Sequence, residues 1–367
     1  MKTSCNYERM VIKMKSFKLT EDNVRVLGRS IYRDGIRYLS YSCAAVEFIF
    51  TGTRVTAEIW TDWAINEGWE DIFQGYASVI VDDDFDNMKR FAIEKGINTY
   101  PIFESDTIKT VKIRIVKMSE AAFGKMGIIS IDADGDIKPT VRKKIGIEFI
   151  GDSITCGYGI EGVFGTDTFN TRQENPWTAY AATTARNLDF EYQLISWSGI
   201  GVISGFIEAD VNEPLNDWLM PALYDYTDRG LENILGVTTD ESKEIWDNSV
   251  FAPEICVVNL GTNDNSYTRN IVERVDAFGE LYIAFLQKIR EKNPNAYIIC
   301  TLGAMGQELF PEIEKRVMEF NDSKVSAMMF DVQKDEDSIG SDWHPSFNTH
   351  QKMAAKLTEY IKENCIF

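Results

Sequence analysis

The chain is poor in histidine: 367 residues contain two, His344 and His350. A serine needs a base to act as a nucleophile at neutral pH, and histidine is the usual one. Serine-hydrolase chemistry is thereby confined to very few positions. Basic charge is short as well, with 38 Lys and Arg against 57 Asp and Glu and a formal net charge of −19. Nucleic acid and anionic membrane surfaces select basic patches, so the balance argues against both as partners and favours a neutral or weakly charged substrate. No segment has the about eighteen uninterrupted apolar residues of a membrane span, and residues 1–10 hold no apolar stretch of signal-peptide length. The six cysteines, Cys5, Cys43, Cys156, Cys256, Cys300 and Cys365, are scattered without a CxxC pair. They read as buried thiols of a reducing compartment, which implies a cytoplasmic protein, or a secreted one if a native signal was removed. Internal repeats and low-complexity tracts are absent.

What is present divides in two. An apolar fraction of 44% with 12% aromatics supports sizeable cores, and the length suits two domains. Up to residue 131 the chain reads as short strands at 24–27, 36–39, 46–50, 55–60, 76–81, 89–93, 108–116 and 127–131. The alternation in Val111-Lys-Ile-Arg-Ile115 is that of a half-buried antiparallel strand. So many strands with little helix predict an all-β sandwich or jelly roll. The charged, Gly- and Pro-bearing segment 132–140 reads as a linker, which gives domains 1–138 and 139–367. Beyond it, apolar strands at 145–150, 192–195, 255–260, 296–302 and 329–332 alternate with helices from 175, over 272–292, over 311–328 and from 348. That pattern predicts a flavodoxin-like parallel sheet covered by helices, with ligands beyond the carboxyl ends of its strands. The irregular segment 208–249 reads as an insertion walling the cleft.

The chemically suggestive residues follow strands directly. Gly151-Asp152-Ser153 ends the first parallel strand, and Gly261-Thr262-Asn263-Asp264 ends the most apolar one. Between them lies Ser196-Trp197-Ser198-Gly199-Ile200-Gly201, in which either glycine could present a backbone N–H to an ester. Near the C-terminus stands Ser341-Asp342-Trp343-His344-Pro345. The elbow G-x-S-x-G is absent around any plausible serine, against an α/β-hydrolase. His350, at the entry of the last helix, reads as exposed or capping. The acidic run at 82–86 lacks the twelve-residue calcium-loop pattern and reads as a solvated hairpin turn, so no metal is expected. Cys156 reads as a packing residue. Trp343, Tyr267 and Trp197 flank the prospective site as candidate sugar-stacking surfaces.

Gly-Asp-Ser, a glycine after the second strand, Gly-x-Asn-Asp and a late Asp/His motif, in that order, resemble the SGNH (GDSL) hydrolases. With the β-domain, Asp342-Trp343-His344-Pro345-Ser346, Val24-Arg-Val-Leu-Gly-Arg29 and Phe50-Thr-Gly-Thr53, the chain resembles carbohydrate esterase family two along nearly its whole length. The resemblance implies Ser153 as nucleophile, His344 as base, and an oxyanion hole of the Ser153 and Gly201 N–H groups with the Asn263 amide. Gly199 is the alternative to Gly201. SGNH enzymes place Asp three residues before the histidine, where this chain has Ser341. Either Asp342, two before, or a backbone carbonyl therefore orients the ring. The implied activity is cofactor-free removal of acetyl groups, with a 6-O preference, from xylan-, mannan- or glucan-type oligosaccharides. An SGNH lipase or thioesterase, or an inert carbohydrate-binding protein, is the alternative.

Overall fold

The computed structural model describes residues 13–62 and 72–365, so Cys5 lies outside the described residues. Among the described residues the first half holds ten strands: β1 (Lys15–Phe17), β2 (Arg25–Leu27), β3 (Ser30–Arg33), β4 (Ile36–Leu39), β5 (Ala45–Thr61), β6 (Gly75–Val81), β7 (Lys89–Ile93), β8 (Gly96–Lys117), β9 (Met126–Ala133) and β10 (Asp136–Pro139). They form one sheet in the order β3-β4-β9-β5-β8-β6-β7, with β1 on β9 and with β2 and β10 on β5. Its pairings are antiparallel, as expected of a sandwich.

β5 and β8 pair along most of their length, while β5 changes its second neighbour halfway. Residues 45–51 face β2 and β10, and residues 55–61 face β9. The change falls at a bulge between Gly52 and Arg54, where a Cβ on Gly52 would collide with the Asp134 carboxylate. That carboxylate accepts the N–H groups of Thr53 and Arg54 at 2.9 and 3.0 Å. A bulge re-aims a strand from one layer into another, and the sheet curls round a core that includes Phe48, Phe50, Val55, Ile113 and Ile128. The strands expected at 46–50 and 55–60 are thus one strand, and the turn-like Thr51-Gly52-Thr53 is its bulge. The expected linker is a hairpin, since β9 runs to Ala133 and β10 begins at Asp136. The connection between the halves lies at 140–145, beyond the expected break after 138.

The second half is a parallel sheet of β11 (Gly146–Gly151), β12 (Glu191–Ser196), β13 (Ile255–Asn259), β14 (Tyr297–Ala304) and β15 (Val325–Val332), in the order β12-β11-β13-β14-β15. Every residue of β11, β12 and β13 is buried, as in strands covered on both faces. The helices are α1 (Ser153–Cys156), α2 (Tyr180–Asn187), α3 (Met220–Leu223), α4 (Arg229–Ile234), α5 (Thr262–Thr268), α6 (Val272–Lys292), α7 (Phe310–Phe320) and α8 (Phe347–Asn364). α2 and α8 cover one face and α6 and α7 the other. α7 ends eight residues before the expected 328: Asn321 is left-handed with φ 51°, and β15 already begins at Val325. The strand order reverses between β11 and β13, and crevices for ligands open at such points.

The halves share a core. Leu27, Cys43, Ala45, Val116 and Met118 of the β-half are buried with Phe149, Trp177, Tyr180 and Tyr192. Arg25 binds Glu47 of its own sheet and Glu191 of β12, each at 2.7 Å. Arg29 donates to the carbonyls of Tyr224 and Tyr226. The 208–249 segment fills much of this seam, where Glu232 meets Arg33 at 2.7 Å. Its first residues lie instead against the end of α5, where Glu208 and Val211 accept from Arg269.

Candidate active site

Ser153 is the first residue of α1, straight after β11, and Asp152 caps that turn by accepting the Ile154 N–H at 3.0 Å. Gly157, left-handed with φ 72°, ends the turn after a single revolution. His344 comes from the other end of the chain, between β15 and α8. Its Nε2 lies 2.8 Å from the Ser153 Oγ. Its Nδ1 lies 3.0 Å from the backbone carbonyl of Asp342. A carbonyl only accepts, so Nδ1 carries the ring proton and Nε2 keeps a lone pair facing the serine. Burial holds the imidazole down at about 4, against the opposing hydrogen bond and charge of Asp342. The ring is therefore neutral, and a base, at neutral pH.

The Asp342 carboxylate is elsewhere: it accepts the Tyr158 hydroxyl at 2.9 Å. The structure thus brings Asp342 to the histidine through its main chain and not as a third acid. Two consecutive left-handed residues, Asp342 at φ 50° and Trp343 at φ 64°, accompany this carbonyl-to-ring contact. Such conformations cost about 1–3 kcal/mol each and gather at functional sites. Ser341, at the usual acid position, is buried and bonds Gln173 Oε1 at 2.8 Å. Gly159 and Gly162 press against it so closely that a Cβ at either would collide with Ser341.

Asn263, in the first turn of α5, stands across the crevice from Ser153. One N–H of its amide is held by Ile200 O at 2.8 Å, and the amide also donates to Asp152 Oδ2 in a longer bond of 3.4 Å, the weaker of the two for an oxyanion to displace. The Ser153 amide has no backbone acceptor among the described residues. The two loop glycines have opposite surroundings. A Cβ at Gly201 would collide with Ser204 O and crowd Asp264, so this glycine is a close-packed backbone position. Ile200 O points at Asn263, and on a trans peptide the Gly201 N–H faces the other way. Gly199 has φ 76°, no heavy atom within 4 Å of where a Cβ would stand, and an amide without a backbone acceptor. The geometry therefore replaces Gly201 by Gly199 as the glycine facing the cleft.

Asp264 ties down the end of that loop. It is fully buried, and its Oδ1 accepts the N–H groups of Val202, Ile203 and Ser204 at 2.8, 2.7 and 3.2 Å. Burial lifts it to about 6 despite these donors, and lifts Asp152 to about 7.

The aromatic candidates separate. Trp343 is 46% exposed, with its ring edge-on to Phe164 at 4.9 Å. Trp197 instead packs into the seam against Trp218 and the Lys125 ammonium, because the loop turns it inward. Tyr267 has one ring face covered by Arg274 at 4.4 Å. Sequence reasoning missed Tyr158, stacked on Phe169 at 3.5 Å with its ring 4.3 Å from that of His344. Its position five residues after Ser153 was the available signal. His350 is wholly buried, where an exposed or capping place was expected, and it does cap: its Nδ1 accepts the first N–H of α2, that of Tyr180, at 3.1 Å. Cys156 is buried on Ser196 and Glu120, and 82–86 forms the exposed turn between β6 and β7.

Residues 149–352 match the GDSL-like lipase/acylhydrolase family, and residues 26–140 match the N-terminal domain of carbohydrate esterase family 2. The chain belongs to the GDSL-like lipase/acylhydrolase family. Its β-half and hydrolase half together have the two-domain architecture of the family-two carbohydrate esterases. It is 32% identical over 336 residues to cellulase/esterase CelE of Acetivibrio thermocellus, using 88% of this chain but spanning only 37% of that protein. It is 25% identical over 366 residues to an acetylxylan esterase/glucomannan deacetylase of Cellvibrio japonicus, covering 98% and 93% of the two chains. A family-two carbohydrate esterase from Clostridium thermocellum, solved with cellohexaose, superposes with a TM-score of 0.78 at 29% identity, over 93% of this chain and 98% of that one.

Proposed function

We propose that the protein is a serine carbohydrate esterase that removes O-acetyl groups from xylan-, mannan- or glucan-type oligosaccharides, with a preference for the 6-O position. The observation that carries the chemistry is the 2.8 Å contact between His344 Nε2 and Ser153 Oγ, with the tautomer fixed by the Asp342 carbonyl. Ser153 attacks the acetyl carbonyl as His344 takes its proton. The oxyanion meets the N–H groups of Ser153 and Gly199 and the Asn263 N–H that rests on Asp152 Oδ2. His344 then protonates the departing sugar hydroxyl, and water, activated by the same ring, releases acetate from Ser153. The machinery is a dyad with a backbone-held base.

The sugar assignment draws on the relatives, whose names include acetylxylan esterase, glucomannan deacetylase and a cellohexaose complex. The exposed Trp343–Phe164 pair beside His344 suits a sugar face. A chain-length series of 4-nitrophenyl esters tests the acyl group. Acetate should be turned over fastest and Ser153→Ala should be inactive; an octanoate preference would make the protein a lipase or thioesterase. Oligosaccharide binding without any acetate release would make it an inert lectin.

A further inference from the structure

The loop that carries Gly199 is held from outside its own domain. Glu120, just beyond β8 of the β-domain, is completely buried. Its Oε2 accepts the Ser198 N–H at 2.7 Å, and its Oε1 accepts the Ser198 hydroxyl. Ser198 immediately precedes Gly199. The Cys156 thiol, at the end of α1, reaches the same Oε2 at 3.6 Å. Behind Glu120 stands Glu174, equally buried, whose Oε2 accepts the Glu120 N–H at 3.1 Å. Burial raises both carboxyl groups above the ordinary range, and the facing Glu120 adds to the rise at Glu174. The nearby Lys117 ammonium is bound to the carbonyls of Ser119 and Glu120 and not to either carboxylate.

Two dry carboxyl groups side by side are costly, and an apolar pair of similar volume would stabilise the seam better. What the pair provides is a fixed acceptor for both polar groups of Ser198. We propose that Glu120 of the β-domain is a positioning residue for the oxyanion hole, holding the Trp197–Ser198 peptide and the Ser198 hydroxyl so that the next N–H, that of Gly199, is aimed before substrate arrives. The proposal rests on the esterase reading for its kinetic consequence. Asp264 anchors the far end of the same loop at 202–204. Gly199 is thus clamped between two buried carboxyl groups, one from each domain. Donors fixed in advance are what make an oxyanion hole effective. The β-domain thereby takes part in the chemistry through the Glu120 side chain.

Glu120→Ala in the full chain should lower kcat for 4-nitrophenyl acetate by about tenfold to a hundredfold, with KM within about twofold of wild type. Glu120→Gln should recover most of the loss, because its amide can accept from the Ser198 N–H and donate to the hydroxyl. Ser198→Ala removes only the hydroxyl contact and serves if Glu120→Ala does not fold; it should lower kcat by about threefold or more, with a lowered Tm because one buried Glu120 oxygen loses its partner. Hydrogen exchange reads the loop without any substrate: amides of 197–201 should exchange faster in Glu120→Ala, or in Ser198→Ala, while those of α6 stay protected. Unchanged kcat with raised KM, a Gln variant as impaired as the Ala variant, or unchanged exchange at 197–201 would overturn the proposal. A wild-type protein with no ester turnover would overturn the esterase reading instead, and the exchange measurement would then decide the role of Glu120 alone.

Discussion

The carboxylate of Asp342 lies on the hydroxyl of Tyr158, 2.9 Å away, while the carbonyl of the same aspartate holds His344. The base is therefore oriented by a group that no side-chain substitution removes. Where a carboxylate is a true third member of a triad, its amide replacement lowers kcat about 10⁴-fold. Asp342→Asn should cost less than about tenfold, because asparagine tolerates the left-handed backbone and leaves the carbonyl in place. Steady-state kinetics on 4-nitrophenyl acetate checks this, and a loss of several thousandfold would mean the carboxylate moves onto the ring during turnover.

Asn263→Ala removes a neutral donor without touching the nucleophile. Loss of one oxyanion donor costs about 3 kcal/mol in the transition state, a factor of 10²–10³ in kcat with little change in KM. The two glycines should fail differently. Gly201→Ala displaces packed backbone and should lower Tm as well as kcat. Gly199→Ala meets open space but carries a side chain at φ 76°, so it should lower kcat with a smaller loss of Tm.

The acid side of the pH profile should have two components of different origin. Burial keeps His344 at about 4, below its ordinary 6.5, so the base stays available as pH falls through 6 and 5 and is lost near 4. The unfolded chain takes this proton near 6.5, so the contribution of His344 to stability declines as pH drops from 6.5 to 4. Asp264 moves the other way: burial raises it to about 6, and below that pH its neutral form grips the 202–204 amides less strongly. A step near pH 6 in kcat/KM should disappear in Asp264→Asn, while the limb near 4 remains.

His350→Ala should separate the two histidines by role. Losing a helix cap costs about 0.5–2 kcal/mol, and His350 is the acceptor for the first N–H of α2. Thermal denaturation should show a lower Tm with kcat near wild type; a collapse of kcat in well-folded protein would give His350 a part in the chemistry.

The parallel sheet was legible because its strands are short, apolar and separated by helical spacing, and α6 lies where its periodicity puts it. Ser153, Asn263 and His344 were legible for a related reason, since each follows a strand or precedes a helix that places it at the same sheet edge. The long strand β5 was not, because a bulge at Gly52 has the composition of a turn. Nor could spacing choose between the carboxylate and carbonyl of Asp342, which depends on φ at 342 and 343. The same limit hid the choice between Gly199 and Gly201, set by where one peptide plane points. Glu120 was hidden by distance: its partner Ser198 is 78 positions away, in another domain.

The most direct measurement is mass spectrometry of acetylated xylo- and manno-oligosaccharides before and after incubation with wild-type protein and with Ser153→Ala. Stepwise loss of acetyl groups with wild type alone is the result expected. An unchanged acetyl pattern with folded wild-type protein, or equal loss with Ser153→Ala, would contradict it.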